Sequence, residues 1–127
     1  MPHLAHGHER HIGRPVGTGH CVALVRECSG LPATAAWRRG VPVRGGNCAP
    51  GTAIATFDPD GRYGNHMDLR SHAAILLSEN SDGLLVCDQW VGQPCQQRVI
   101  RFRGGTGDAA NDGDAFHVIE LADERGA

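Results

Sequence analysis

The runs HAAILLS (72–78) and LLVCDQW (84–90) stand on either side of Asn80-Ser81-Asp82-Gly83. Turn-forming residues between two apolar segments of strand length predict a β-hairpin. The first run is apolar at successive positions rather than alternate ones, as in a strand covered on both faces. It reads as the central strand of a sheet, and the rest of the chain has to supply both covers.

Three further segments have strand character. TAIATF (52–57) lies between Pro50-Gly51 and the turn residues Asp58-Pro59-Asp60-Gly61. QRVIRF (97–102) follows a short turn at Val91 to Pro94, and AFHVIEL (115–121) follows the loop GGTGDAANDGD. Over residues 97–103, Arg98, Arg101 and Arg103 flank Val99 and Ile100, a mixture that suits a sheet margin. Nearer the start, Val22, Val25, Cys28 and Leu31 have helical spacing, which predicts a helix from Cys21 to about Ser29. Gly30 and Pro32 stop it. A second short helix is expected over Ala33 to Trp37, before Arg38-Arg39-Gly40 breaks the pattern. Helices first and antiparallel strands afterwards predict an α+β domain, its N-terminal helices packed on a meander-like sheet of about five to six strands.

A chain of 127 residues is the size of one domain. Residues 1–13 are rich in histidine and read as a flexible segment with a helical turn near Glu9 to Ile12. Residues 14–122 form the domain, and 123–127 a tail. All 12 basic residues are arginine, and the net charge of -2 argues against a nucleic-acid or anionic-membrane partner. No apolar run approaches the roughly 20 residues that span a bilayer. MPHLAHGHERHIG lacks the apolar core of a secretory signal, so synthesis in the cytosol without a signal peptide is expected.

Five cysteines are present, so at least one thiol is unpaired within the chain. Cys21 follows Gly17-Thr18-Gly19-His20 and opens the predicted helix. A helix N-terminus presents unpaired N–H groups and the positive end of the helix dipole, both of which favour a thiolate. The same N–H groups could hold an oxyanion. A buried cysteine acting as a small apolar side chain fits that position equally well. A nucleophilic thiol needs a base, and His72 heads the central strand beside the small residues Ala73 and Ala74; a satisfied core histidine is the plainer alternative. Asp88 interrupts an apolar run where an unpaired carboxylate would be costly. The hairpin brings Asp88 level with residues 72 to 76, and an even register places it on the same face as His72. Each residue has an ordinary structural explanation by itself. Together they supply a nucleophile, a base and a group to orient the base.

GTGHCVALV, GTAIATF, GRY, SHAAILL and DQW together resemble a family of small bacterial papain-like cysteine amidases related to the NlpC and CHAP groups. More narrowly they resemble the second family of type VI secretion amidase effectors, over residues of about 12 to 121. The resemblance implies a papain-like fold and hydrolysis of amide bonds in peptidoglycan stem peptides, ending in the death of neighbouring bacteria. Carried over by position, Cys21 is the nucleophile, His72 the general base and then acid, and Asp88 the orienting residue. The implied bond is the D-alanine–meso-diaminopimelate cross-link. Delivery by the type VI machinery into the recipient periplasm and a cognate immunity protein are also implied.

Rival chemistries lack parts. His3, His6, His8 and His11 lie close together, but HERH is not the HExxH zinc motif and no cysteine pair has CxxC spacing, so no metal and no cofactor are expected. Gly17-Thr18-Gly19 lacks the third glycine of a dinucleotide loop. DAANDGD (108–114) lacks the ligand alternation and closing glutamate of a calcium loop. Gly19, His20, Arg62, Tyr63 and Trp90 are the candidate substrate-binding residues, with packing an equal explanation for Tyr63 and Trp90. A hairpin centred near residue 91 sets Cys87 across from Cys95, which permits a disulfide or two free thiols. The alternative functions are a noncatalytic wall- or protein-binding module and another papain-like acyl-transfer enzyme.

Overall fold

The computed structural model describes residues 2–125. One nine-residue helix, α1 (Cys21–Ser29), precedes six strands, β1 (Trp37–Pro42), β2 (Ala53–Thr56), β3 (Ala73–Glu79), β4 (Gly83–Trp90), β5 (Gln93–Arg101) and β6 (Phe116–Leu121). A short helix, α2 (Ala122–Arg125), follows β6. The strands form one sheet in the order β1-β6-β2-β3-β4-β5, with every pairing antiparallel. The α+β expectation therefore holds, with one change of topology. β2 to β5 are a meander, whereas β6 returns to lie between β1 and β2.

The two predicted covers of the central strand are both present. On the α1 side, Leu24 and Val25 pack with Ala53, Ala73, Ile75, Cys87 and Ile119. On the other, Ile54, Ala74, Leu76, Val86 and Phe116 form a second cluster. Successive residues of β3 thus enter different cores, which explains its lack of polar alternation. The helix ends where Gly30 adopts φ 75° and donates its N–H to the Arg26 carbonyl.

Two expectations are corrected. The second helix is only a 3-10 turn, Thr34–Ala36, and Trp37 begins β1 instead. The Trp37 side chain is fully buried, and Trp37, Arg38 and Arg39 pair with Leu121, Glu120 and Ile119; this long-range pairing overrides the local helical pattern. The His-rich segment, expected to be a flexible appendage, is instead tied to the domain. Ala53 N–H donates to the His3 carbonyl at 2.8 Å, Ala5 N–H to Gly51 at 2.7 Å and His6 N–H to Cys28 at 2.9 Å. Ala5 is buried by these contacts. The helical turn expected there is the 3-10 turn His8–His11. Of the expected tail, residues through 125 continue as α2, and 126 and 127 lie outside the described residues.

Candidate active site

The loop before α1 is held from below by a residue of β4. Gln89 is fully buried, and its Oε1 accepts from Val16 N–H at 2.8 Å. Its Nε2 donates to the carbonyls of Val16 at 2.9 Å and His20 at 2.8 Å. One amide side chain therefore fastens both ends of the Val16–His20 loop. The loop reverses through Gly17 (φ 56°) and Gly19 (φ 86°), a conformation that favours glycine. A Cβ on Gly19 would meet nothing within 4 Å, so backbone conformation rather than space requires glycine there. The chain then enters α1 at Cys21, whose thiol reaches the floor of a cleft of about 430 Å³.

His72 comes to the same cleft from the start of β3. Its N–H donates to Thr56 Oγ1 at 2.9 Å, and its carbonyl accepts from Thr56 N–H at 3.0 Å. β3 and β4 pair Ile75 with Cys87, so His72, Ala74 and Asp88 share one side of the sheet. His72 Nε2 meets Asp88 Oδ2 at 2.7 Å, with the imidazole nearly buried and the carboxylate fully so. Since Nε2 is engaged there, Nδ1 is the ring nitrogen left for the thiol. Arg98 on β5 donates from Nε to the same Asp88 oxygen at 2.8 Å. Trp90 closes the side of the site, edge-on to the His72 ring at 6.2 Å, and the Arg98 guanidinium lies 5.0 Å from the Trp90 ring centroid. Tyr63 hydroxyl is 3.8 Å from Cys21 Sγ.

These contacts set the charges. Burial raises the Cys21 thiol, but the His72 hydrogen bond and charge, the Ala73 backbone N–H and the Tyr63 hydroxyl outweigh it and leave the pKa below the ordinary thiol value. Burial lowers His72, and the Asp88 hydrogen bond and Cys21 thiolate overcome it, so that its pKa is pushed up to about 9. Asp88 is raised by burial and lowered more by His72 and Arg98. Tyr63 is raised by burial and by the thiolate beside it, which keeps its hydroxyl a proton donor. Both shifts favour the form in which a proton has passed from Cys21 to His72, above a buried carboxylate.

The family model described as domesticated amidase effector 2 matches residues 5–119. Domesticated amidase effector 2 of Ixodes scapularis is 44% identical over 107 residues, covering 80% of this chain and 70% of that protein. A type VI secretion amidase effector 2 protein of Salmonella typhi is 32% identical over 119 residues, covering 83% of this chain and 88% of its own. A solved structure of a type 6 secretion amidase effector 2 superposes with a TM-score of 0.72 at 31% identity, covering 84% and 85% of the two chains.

The chain belongs to the amidase effector 2 family. The papain-like fold and the reading as an antibacterial peptidoglycan amidase effector hold with that membership.

Of the residues singled out in this family member's sequence, Cys21, His72, Tyr63, Trp90 and His20 meet at the cleft, with Asp88 directly beneath. His20 is the residue before α1, and its side chain is exposed at the cleft edge. Two other candidates lie away from the cleft lining. Arg62 is exposed outside the cleft, its backbone bonded to Asp60 and paired with Arg38. Gly19 lies buried in the turn rather than on the cleft wall. Gln89 and Arg98 went unrecognised. A polar residue inside an apolar strand, as Gln89 is, signals a required partner; Arg98 looked like an ordinary marginal charge. The loop from Asn65 to Leu69 also lines the cleft, pinned where His66 Nε2 meets Asp58 at 3.0 Å. Among the described residues, no three His, Cys, Asp or Glu side chains gather as a metal site.

Proposed function

We propose that the chain is a cysteine amidase of peptidoglycan in which Cys21 is the nucleophile, His72 the proton carrier and Asp88 the residue that orients His72. The observation that carries the reading is the single imidazole placed between a lowered thiol and a buried carboxylate. Cys21 Sγ attacks the peptide carbonyl carbon, and the carbonyl π electrons move onto oxygen. The N–H groups at the start of α1 and the Tyr63 hydroxyl stabilise that oxyanion. His72 gives its proton to the departing amine as the C–N bond breaks, leaving a thioester on Cys21. Neutral His72 then takes a proton from water, which adds to the thioester and releases a carboxylic acid and the thiolate. Asp88 remains ionised throughout, with Arg98 balancing its charge when the imidazole is neutral.

The bond proposed is the D-alanine–meso-diaminopimelate cross-link. Delivery through type VI machinery to the recipient periplasm, and restraint by an immunity protein in the producer, complete the reading; the bacterial relative and the solved structure support the route. Digestion of purified sacculi followed by mass analysis of the released muropeptides tests it. Conversion of cross-linked dimers to monomers, absent with Cys21→Ala, is the expected result. Products cut elsewhere in the stem would overturn the assigned bond, and an active Cys21→Ala would overturn the nucleophile.

A further inference from the structure

A second depression of about 330 Å³ opens beside the cleft, between β5 and the loop that follows it. Arg98 and Asn111 line both hollows, so the two adjoin. Beyond them the groove is lined by Arg101, Arg103, Gly107 and Asp108. Three arginines and one aspartate thus line this hollow, on a chain whose net charge is -2. Two of the three are already held. Arg98 is fixed through Nε on Asp88, and Arg103 through Nε on the Asn111 carbonyl at 3.0 Å. A guanidinium held through Nε carries two further Nη groups as donors. A guanidinium anchored by one edge has lost much of its rotational freedom, so less is lost on binding, and its fork matches a carboxylate.

We infer that this groove is a subsite for a carboxylate-bearing arm of the peptide substrate, entered past Arg98 from the scissile bond. The inference rests on the proposed peptidase reading and extends it to substrate recognition. A cross-linked stem has two peptide arms, and free carboxylates lie on them within a few residues of the bond to be cut. One arm occupies the cleft beside Trp90 and Tyr63, and the other runs along β5. That strand is the outermost of the sheet, so its backbone can also meet an extended peptide. Arginines on an edge strand also discourage sheet-to-sheet aggregation, and the experiment separates that role from recognition.

The inactive Cys21→Ala protein is titrated with a cross-linked muropeptide dimer in two forms, with free carboxylates and with the carboxylates converted to carboxamides, following tryptophan fluorescence. The free acid is expected to bind about tenfold more tightly, the size of one charge-assisted interaction. Adding Arg101→Gln reduces that preference to about threefold, and Arg101→Gln with Arg103→Gln removes it. Circular dichroism of each variant checks that it is folded. Equal affinity of the two ligands for the Cys21→Ala protein overturns the subsite without any arginine variant. So does a preference that survives in the double variant, including one that aggregates more readily. The parent's hydrolysis of the same dimer is measured alongside. No hydrolysis would reject the peptidase reading, whereas hydrolysis without carboxylate preference would reject the groove alone.

Discussion

Two thiol environments share the α1 side of the sheet and behave oppositely. Cys21 is held below the ordinary thiol pKa although it is largely buried, because His72, the Ala73 N–H and the Tyr63 hydroxyl all favour its anion. Cys87 and Cys95 sit in the core with their sulfurs 3.3 Å apart, both as free thiols. Burial raises both, and no cation stands among the causes that act on them. Desolvation acts in the same direction on all three. What separates them is a partner that stabilises negative charge. A thiol's anion is thus favoured by the partner it faces rather than by its own exposure.

The widest separation is in catalysis. Cys21→Ala should abolish release of muropeptides, whereas Cys87→Ala should digest sacculi at the parent's rate and lose only about 1–2 kcal/mol of unfolding free energy from its cavity. Denaturant titration beside the digestion assay measures both, and a Cys87 variant that loses activity while folded would break the contrast. Next is Asp88→Ala, expected to lower kcat by about 10²–10⁴-fold, since the imidazole loses its orienting carboxylate. Its alkaline limb should also move to lower pH. In the parent, the imidazolium persists until pH rises through about 9, so activity falls there; without Asp88 a hydrogen bond that raises this pKa is gone. An unchanged alkaline limb would show that Asp88 does not control His72.

Alkylation gives a third measure. At pH 6, iodoacetamide should label Cys21 alone, and His72→Ala should slow that labelling by roughly tenfold or more as the thiol returns toward its ordinary pKa of about 8.5. Cys87 and Cys95 should react only after unfolding. The smallest effect is expected for Tyr63→Phe, a rate loss of about tenfold from removing one weak donor near the sulfur and oxyanion. A loss as large as that of Asp88→Ala would place the hydroxyl in proton transfer.

Much of the fold was legible because its signals are local. β3 showed its two covers in HAAILLS, and Gly30 marked the end of α1 beside Pro32. The Asp88 carboxylate in an apolar run signalled a partner, and the hairpin limited the candidates to one. β1 was not legible, since Arg38, Arg39, Gly40 and Pro42 disguise a strand that exists through pairing with β6. The N-terminal segment misled for a similar reason. Its histidines look solvated, yet its backbone pairs with residues about 48 positions away, as Leu4 does with Thr52. Gln89 could be seen to need partners, but nothing local named Val16 and His20 as those partners.

By itself, the sequence determined the α+β class, the helix opening on Cys21, the central hairpin, and the pairing of a histidine with an acid across it. These follow from side-chain period, turn chemistry and the cost of burying charge, which act over a few residues. Tertiary structure alone decided that β6 inserts beside β1, that Gln89 suspends the loop before Cys21, and that Arg98 shares Asp88 with His72. Those contacts join residues whose neighbours in the chain carry no trace of one another. Only packing brings them close enough for hydrogen bonds and charge to act.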